Sequence, residues 1–567
     1  MKLLVCCLLL ALATAAQQAP SSQTPQSGQN QAATPPETKP EDLCAIEGQA
    51  VDLATGAPLR KVEITLRGTQ PATAGAMPNS YTATSEAGGG FIIKDIEPGK
   101  YRLSAQRTGY VTLQYGARGP MRGGTTLTLS TGQRMKDLSL RLNPQGVITG
   151  RILDENNDPV ASASVRAMRY TYTMGRRQMQ ASGNANTNDL GEYRLYGLAP
   201  GRYYLAAREN VHEWESTVDA SANPAPDGYV TTYYPGAKDP AAAVQIEVAA
   251  GAQLRGLNLT LAKARTFRIR GRVEGRPDAQ IMLIPRGQAQ WISIDQQNHG
   301  TGSKGTFELN GILPGAYTLT ASSWSQNKVL TSRQEVDVGD SNIDNLVLVP
   351  SPGIEVIGTV AVDAVNPPAL DSVNVMLRAR DPGRIMYASS SEHLHDGAFT
   401  LSDVTPDNYY LQVTGLPDGY WVKSVHMGDQ EVRDTGIDLT SGPSGSINVT
   451  LAANAGQIDG SVQNDQQQAA PGATVVLVPE PKLRDRPDAY KNITSDQNGR
   501  FSFKNLAPGD YRLFAWEDVE YGAYMDPDFL RPFEDRGQSL SIQEGSRESV
   551  QLNLISGDAA PSGRKDK

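Results

Sequence analysis

Five times along the chain, apolar residues keep a two-residue rhythm on either side of a proline. Around Pro508 they are Phe501, Phe503 and Leu506 before it, then Tyr511, Leu513 and Ala515. The same offsets select Phe91, Ile93, Ile96, Tyr101, Leu103 and Ala105 around Pro98, and Tyr193, Leu195, Leu198, Tyr203, Leu205 and Ala207 around Pro200. They select Phe307, Leu309, Ile312, Tyr317, Leu319 and Ala321 around Pro314, and Phe399, Leu401, Val404, Tyr409, Leu411 and Val413 around Pro406. Upstream of each proline by 43 to 50 residues stands a glycine flanked by apolar residues: Gly48, Gly150, Gly271, Gly358 and Gly460. Copies close on a further alternating run, such as Leu138-x-Leu140-x-Leu142 or Val550-x-Leu552-x-Leu554.

A period of two puts alternate side chains on one face of a strand, so each run predicts a strand with one apolar face. Many short strands separated by turn residues predict an all-β protein of sandwiches or barrels. The repeat length is that of a small domain with its own core rather than a solenoid coil. The expected fold is five tandem Greek-key-like β-sandwiches over residues 44–144, 145–264, 265–352, 353–455 and 456–557. No long apolar stripe at helical spacing interrupts them.

The corner has its own chemistry. A glycine nine residues before each proline (Gly89, Gly191, Gly305, Gly397 and Gly499) supplies the positive φ of a tight hairpin turn. The glycine after the proline is expected to take a left-handed turn position, with Asn408 substituting for it in the fourth copy. The tyrosine three residues after the proline fits a tyrosine corner, in which the hydroxyl bonds back to the chain and serves packing, not ligand contact.

These residues carry a resemblance. The pattern G-x-F-x-F/L-x-x-L-x-P-G-x-Y-x-L-x-A, preceded by the upstream glycine, resembles the carboxypeptidase regulatory-like domain, most clearly over Gly150–Ala207 and Gly460–Ala515. The resemblance implies a transthyretin-like sandwich grouped with carbohydrate-binding-like folds, and a non-catalytic accessory or binding module. The matching residues belong to core and turns, so they specify fold more than function.

The N-terminus, MKLLVCCLLLALATAAQQ, reads as a secretory signal peptide over residues 1–16. Its apolar run is too short to span a bilayer. Residues 17–43 are rich in Gln, Pro, Ser, Thr and Ala and read as a disordered linker; residues 558–567 read as a disordered tail. Cleavage leaves Cys44 alone, so internal disulfides are excluded and each domain must rely on its apolar core. A free thiol or an intermolecular bridge are both open to it. The formal net charge of -9 argues against nucleic-acid binding. No later stretch is long and apolar enough for a transmembrane helix.

Catalytic signatures are sparse. The five histidines are scattered. His212-x-x-Glu215 has the spacing of a zinc ligand pair but no companion ligands, and His393 with His395 shares a strand face without an evident third ligand. The acidic runs Asp154–Asp158 and Asp496–Gly499 fall where turns are expected and lack the spacing of a calcium loop. Neither a metal nor any other cofactor is expected.

Binding is more legible. After Pro508 the fifth copy runs into WEDVEYGAYMDPDFLRPFEDRG, an excursion dense in aromatic and acidic residues. Trp516 is out of phase with the core positions and is expected to point outward. Aromatic faces stack on sugar rings and carboxylates accept from sugar hydroxyls. Trp516, Tyr521, Tyr524, Asp526, Asp528 and Phe529 are therefore the candidate ligand-binding residues. The competing reading is that the rings pack the excursion onto its own or a neighbouring sandwich. Smaller excursions, Tyr110–Gly116 and Tyr229–Gly236, leave the first two copies at the same place. The sequence thus predicts an exported, non-catalytic binding protein. Its expected partner is a polysaccharide or cell-surface glycan, with other envelope proteins as further partners. The alternative is a structural or adhesive spacer, or a protein-interaction protein, at the cell surface.

Overall fold

The computed structural model describes residues 39–69, 77–117, 119, 123–209, 227–276, 278–286, 297–302, 304–325, 328–381 and 391–556. The leader, most of the linker, the C-terminal tail and the His212–Glu215 pair lie outside them. The described chain is almost wholly β, and its single α-helix is one turn, Pro527–Leu530.

Domain one shows the plan. Strand Cys44–Asp52 lies in the middle of a three-stranded sheet, antiparallel to Gly90–Ile96 and parallel to Arg134–Leu142. A second sheet is ordered Ser80–Thr84, Glu63–Gly68, Gly99–Gln106, and both Leu113–Gln114 and Thr126–Leu129 pair with its corner strand Gly99–Gln106. The inner faces meet in a core that includes Ile46, Ile64, Leu66, Phe91, Leu103, Leu127 and Leu140. The plan recurs around the opening strands Gly146–Leu153, Phe267–Val273, Ile354–Asp363 and Gly456–Gln463. Each has its own buried apolar cluster. In domain four, Trp421–Met427 and Gln430–Glu431 widen the first sheet to five strands.

The upstream glycine lies opposite an aromatic residue on the antiparallel neighbour: Gly48 faces Phe91, Gly150 faces Tyr193, Gly271 faces Phe307, Gly358 faces Phe399 and Gly460 faces Phe501. A Cβ on any of them would strike the main chain of the parallel neighbour. The missing side chain is what lets the two strands close.

All five corner tyrosines bond as the spacing predicts. Tyr101 donates to the Glu97 carbonyl at 2.7 Å, Tyr203 to Ala199 at 2.7 Å, Tyr317 to Leu313 at 3.0 Å, Tyr409 to Thr405 at 2.5 Å and Tyr511 to Ala507 at 2.9 Å. The turn glycines nine residues before the prolines all have positive φ, from 69° to 79°.

The glycine after the proline behaves otherwise than expected. At Gly201 and Gly509 φ is 154° and 155°, positive and open to glycine but far from the left-handed turn value, and neither Asp407 nor Asn408 adopts positive φ. In two copies the tyrosine ring two residues on folds back over this position: a Cβ at Gly99 or Gly315 would lie 3.3 Å from the ring of Tyr101 or Tyr317, whereas the fourth copy carries Asp407 there. The left-handed residue of the corner is instead three before the proline: Asp95, Gly197, Gly311, Asp403 and Asn505, with φ between 55° and 78°. There the pairing slips by one residue, as where Ile46 faces Ile93 but Cys44 faces Ile96. The extra residue is a β-bulge that bends the chain into the corner.

Candidate functional site

The corner strand of domain five, Gly509–Trp516, sends Leu513 and Ala515 into the sandwich core. Phe514 and Trp516 lie on the opposite face, as alternation requires, but that face is not open. The excursion folds back over it as short helical turns, Ala523–Met525, Pro527–Leu530 and Arg531–Arg536. A second core forms beneath them from Val476, Val478, Tyr490, Phe514, Trp516, Val519, Tyr524, Leu530 and Phe533. The expectation that Trp516 faces solvent is corrected: it is 2% exposed.

The other candidate residues are distributed around this cap. Tyr524 is 1% exposed, and burial pushes its phenol well above the ordinary value. Asp526 caps the helical turn, accepting from the Asp528 N–H at 2.9 Å. Asp528 pairs with Arg531 at 2.8 Å. Phe529 is half-buried, edge-on to Tyr172 of domain two with ring centroids 6.1 Å apart. Of the aromatic candidates only Tyr521 is well exposed, at 64%. The flat faces needed to stack on a sugar are largely covered by protein. Trp516 Nε1 and the Tyr524 hydroxyl are buried without a hydrogen-bond partner. Each such group costs about 1–3 kcal/mol, which the apolar packing of the cap offsets.

Charge pins the cap to its sheet. Glu534 is held by Arg484 at 2.7 Å and by Arg512. Burial pushes its carboxyl up, but hydrogen bonds and charge from Arg484 and Arg512 outweigh this and leave it below the ordinary value.

The cap also meets another domain. Glu520 accepts from the Tyr172 N–H at 3.3 Å, across 348 residues of sequence. The hairpin tip at Gly175, between Ser164–Thr173 and Arg176–Asn186, presses on Met525: a Cβ at Gly175 would lie 2.8 Å from the Met525 carbonyl oxygen. Domain five reaches two further neighbours. The Gln497 carboxamide makes a two-way bond with the Thr128 backbone of domain one, at 3.1 and 3.0 Å, across 369 residues. Asn505, the bulge residue, accepts from Gly419 N–H of domain four at 2.8 Å and donates to the carbonyls of Leu416 and Pro417. None of these domain contacts has a local signature in the sequence. The Gly, Asn or Asp three residues before each proline does carry a signal, since these are the residue types that favour a left-handed backbone.

The remaining sequence candidates resolve simply. Asp154 and Asp496 accept backbone N–H groups two and four residues on, so both acidic runs are turns. The side chain of His393 lies outside the described residues. Among the described residues no group of three or more His, Cys, Asp or Glu could hold a metal ion. Cys44 is a buried free thiol whose sulfur donates to the Ser130 carbonyl at 3.1 Å. No helix among the described residues is long and apolar enough to cross a membrane.

Residues 45–142, the first sandwich, match the family model of the carboxypeptidase regulatory-like domain. The other four repeat its strand order, its tyrosine corner and its glycine–aromatic pair. No curated protein matches the chain. Among solved structures, the Bacillus anthracis TIE protein is similar at 12% identity and a TM-score of 0.14, over 92% of this chain and 76% of that one. The minor pilin of Streptococcus agalactiae is similar at 10% identity and a TM-score of 0.22, over 39% of this chain and 96% of that one. The shaft pilin of Lactobacillus rhamnosus GG is similar at 12% identity and a TM-score of 0.14, over 37% and 99%.

Proposed function

We propose that this protein is an exported, non-catalytic scaffold of the cell envelope whose five sandwiches clamp one another into a fixed arrangement. The observation that carries the reading is the use made of the aromatic excursion. Trp516, Tyr524 and Phe533 are committed to a core, and Phe529 to the Tyr172 contact with domain two. Export rests on the leader-like N-terminus, and the lack of catalysis on the accessory character that the regulatory-like resemblance implies. The asparagine and glutamine bonds from domain five to domains four and one support a chain folded back on itself rather than a string of free beads.

Small-angle scattering of the mature chain tests this. A scaffold gives the maximum dimension calculated for the folded-back arrangement. Phe529→Ala combined with Gln497→Ala lengthens it while the β content by circular dichroism stays unchanged. A wild-type curve already fitted by five freely jointed domains would overturn the reading.

A further inference from the structure

Domains one and five enclose a cleft of about 790 Å³, built mainly on the Tyr110–Gly116 excursion of domain one and closed by Pro471 and Gln497 of domain five. Its lining is unlike the rest of this acidic chain: no aspartate or glutamate is among the described residues that line it. Among the described residues that line it the one cation is Arg141, exposed and in no ion pair with a described residue. Gln114, Asn143 and Arg141 make no side-chain hydrogen bond within the described protein, and neither does the half-buried Tyr115 hydroxyl. The Thr125 hydroxyl, in a residue only 2% exposed, is buried without a partner. Gln497 spends one donor and one acceptor on Thr128, and each of its amide atoms keeps a second position. Leu53, 41% exposed, and the Tyr115 ring add an apolar surface.

Carboxamides, hydroxyls and an aromatic ring around one cleft between domains are the donor set that suits a polyhydroxylated ligand, with flat apolar patches for ring faces. The absence of carboxylates removes repulsion toward an anion, and an unpaired guanidinium presents the planar fork that grips a carboxylate. The larger set of charges between domains four and five is a poorer candidate. There Arg433 is paired with Asp434, Arg486 with Asp488 and Lys504 with Asp418, so those cations are already satisfied.

The geometry points to this cleft as a binding site for an acidic glycan, a uronate-bearing saccharide whose carboxylate meets Arg141 and whose hydroxyls meet Gln114, Asn143 and Gln497. Because the site is assembled from the two ends of the repeat array, ligand also favours the closed arrangement. The inference needs the contact between domains one and five but not the envelope location.

The test is affinity electrophoresis of the mature chain, residues 17–567, through gels holding polygalacturonate, alginate or neutral dextran. Retardation by at least one polyuronate is expected, with the apparent dissociation constant raised about tenfold by Arg141→Ala, the loss of one charge-assisted contact. Arg255→Ala, an equal change of charge in domain two, is expected to leave it unaltered. Gln114→Ala should weaken retardation severalfold. No retardation by either polyuronate, retardation by dextran alone, no effect of Arg141→Ala, or an equal effect of Arg255→Ala would each overturn the assignment. Failure here with a compact scattering curve leaves the scaffold reading standing. An extended curve sinks the scaffold, and binding that persists with it places the ligand outside this cleft.

Discussion

Phe514 and Trp516 stack with ring centroids 4.9 Å apart and planes 14° apart, on the face of their strand turned away from the sandwich core. A residue spacing that reads as solvent-facing in an isolated sandwich thus builds a second core. The excursion that covers it brings Phe533 edge-on to Trp516 at 5.9 Å.

Trp516→Ala should therefore behave as a core truncation. A loss of about 3 kcal/mol or more is expected for a buried tryptophan. Hydrogen exchange in the full chain reads it locally: protection of strand Thr474–Pro479, which pairs with Gly509–Trp516, should fall accordingly. Unchanged protection would mean that the cap does not rest on this ring.

The tyrosine corner makes a smaller claim. Tyr409 is fully buried and its hydroxyl donates to the Thr405 carbonyl, so Tyr409→Phe removes that bond. A cost of about 1 kcal/mol or more to domain four is expected. Tyr511→Phe should cost domain five a similar amount, through the Ala507 carbonyl. Calorimetry that finds neither change would show the corner bonds to be energetically idle.

Asn505 has two duties that substitution can separate. Its φ of 55° is left-handed, and its side chain joins domain five to domain four. Asn505→Gly keeps the backbone geometry and removes the bridge, so domain five should retain its stability while its melting uncouples from that of domain four. Asn505→Ala adds a left-handed strain of about 1–2 kcal/mol and should destabilise domain five as well. If both variants melt alike, the bulge geometry is not what asparagine serves.

Acid should release the cap before it unfolds the sandwich. Glu534 has a folded pKa below its ordinary 4.5 because Arg484 and Arg512 outweigh its burial. Its contribution is therefore fully present above about pH 4.5 and is lost as the pH falls through the lower folded value. Exchange in Arg531–Arg536 should rise over that window, and Glu534→Gln should flatten the rise. An identical acid profile in the variant would remove Glu534 from the account.

Much of the fold was legible because its determinants are local. Alternation names the strands, the positive-φ glycines name the hairpin turns, and the tyrosine offset names the corner bond. One local feature was misplaced: the left-handed residue sits before the proline, at Asp95 and its equivalents, because the corner is a bulge and not a two-residue turn. The phase of Trp516 was also readable, and only its covering was not. Tyr172 and Thr128 lie hundreds of residues from the groups they meet, and nothing in their neighbourhood marks them as contacts.

The amino-acid sequence by itself determined five all-β domains and the chemistry of their corners, since period-two burial and turn geometry are decided within a few residues. Tertiary structure alone decided that the excursion's rings are mortar rather than a display, and that Arg141, Gln114 and Gln497 line one cleft. Those outcomes depend on which finished surfaces meet. That is settled by the shape and burial of whole domains, and no short stretch of chain encodes it.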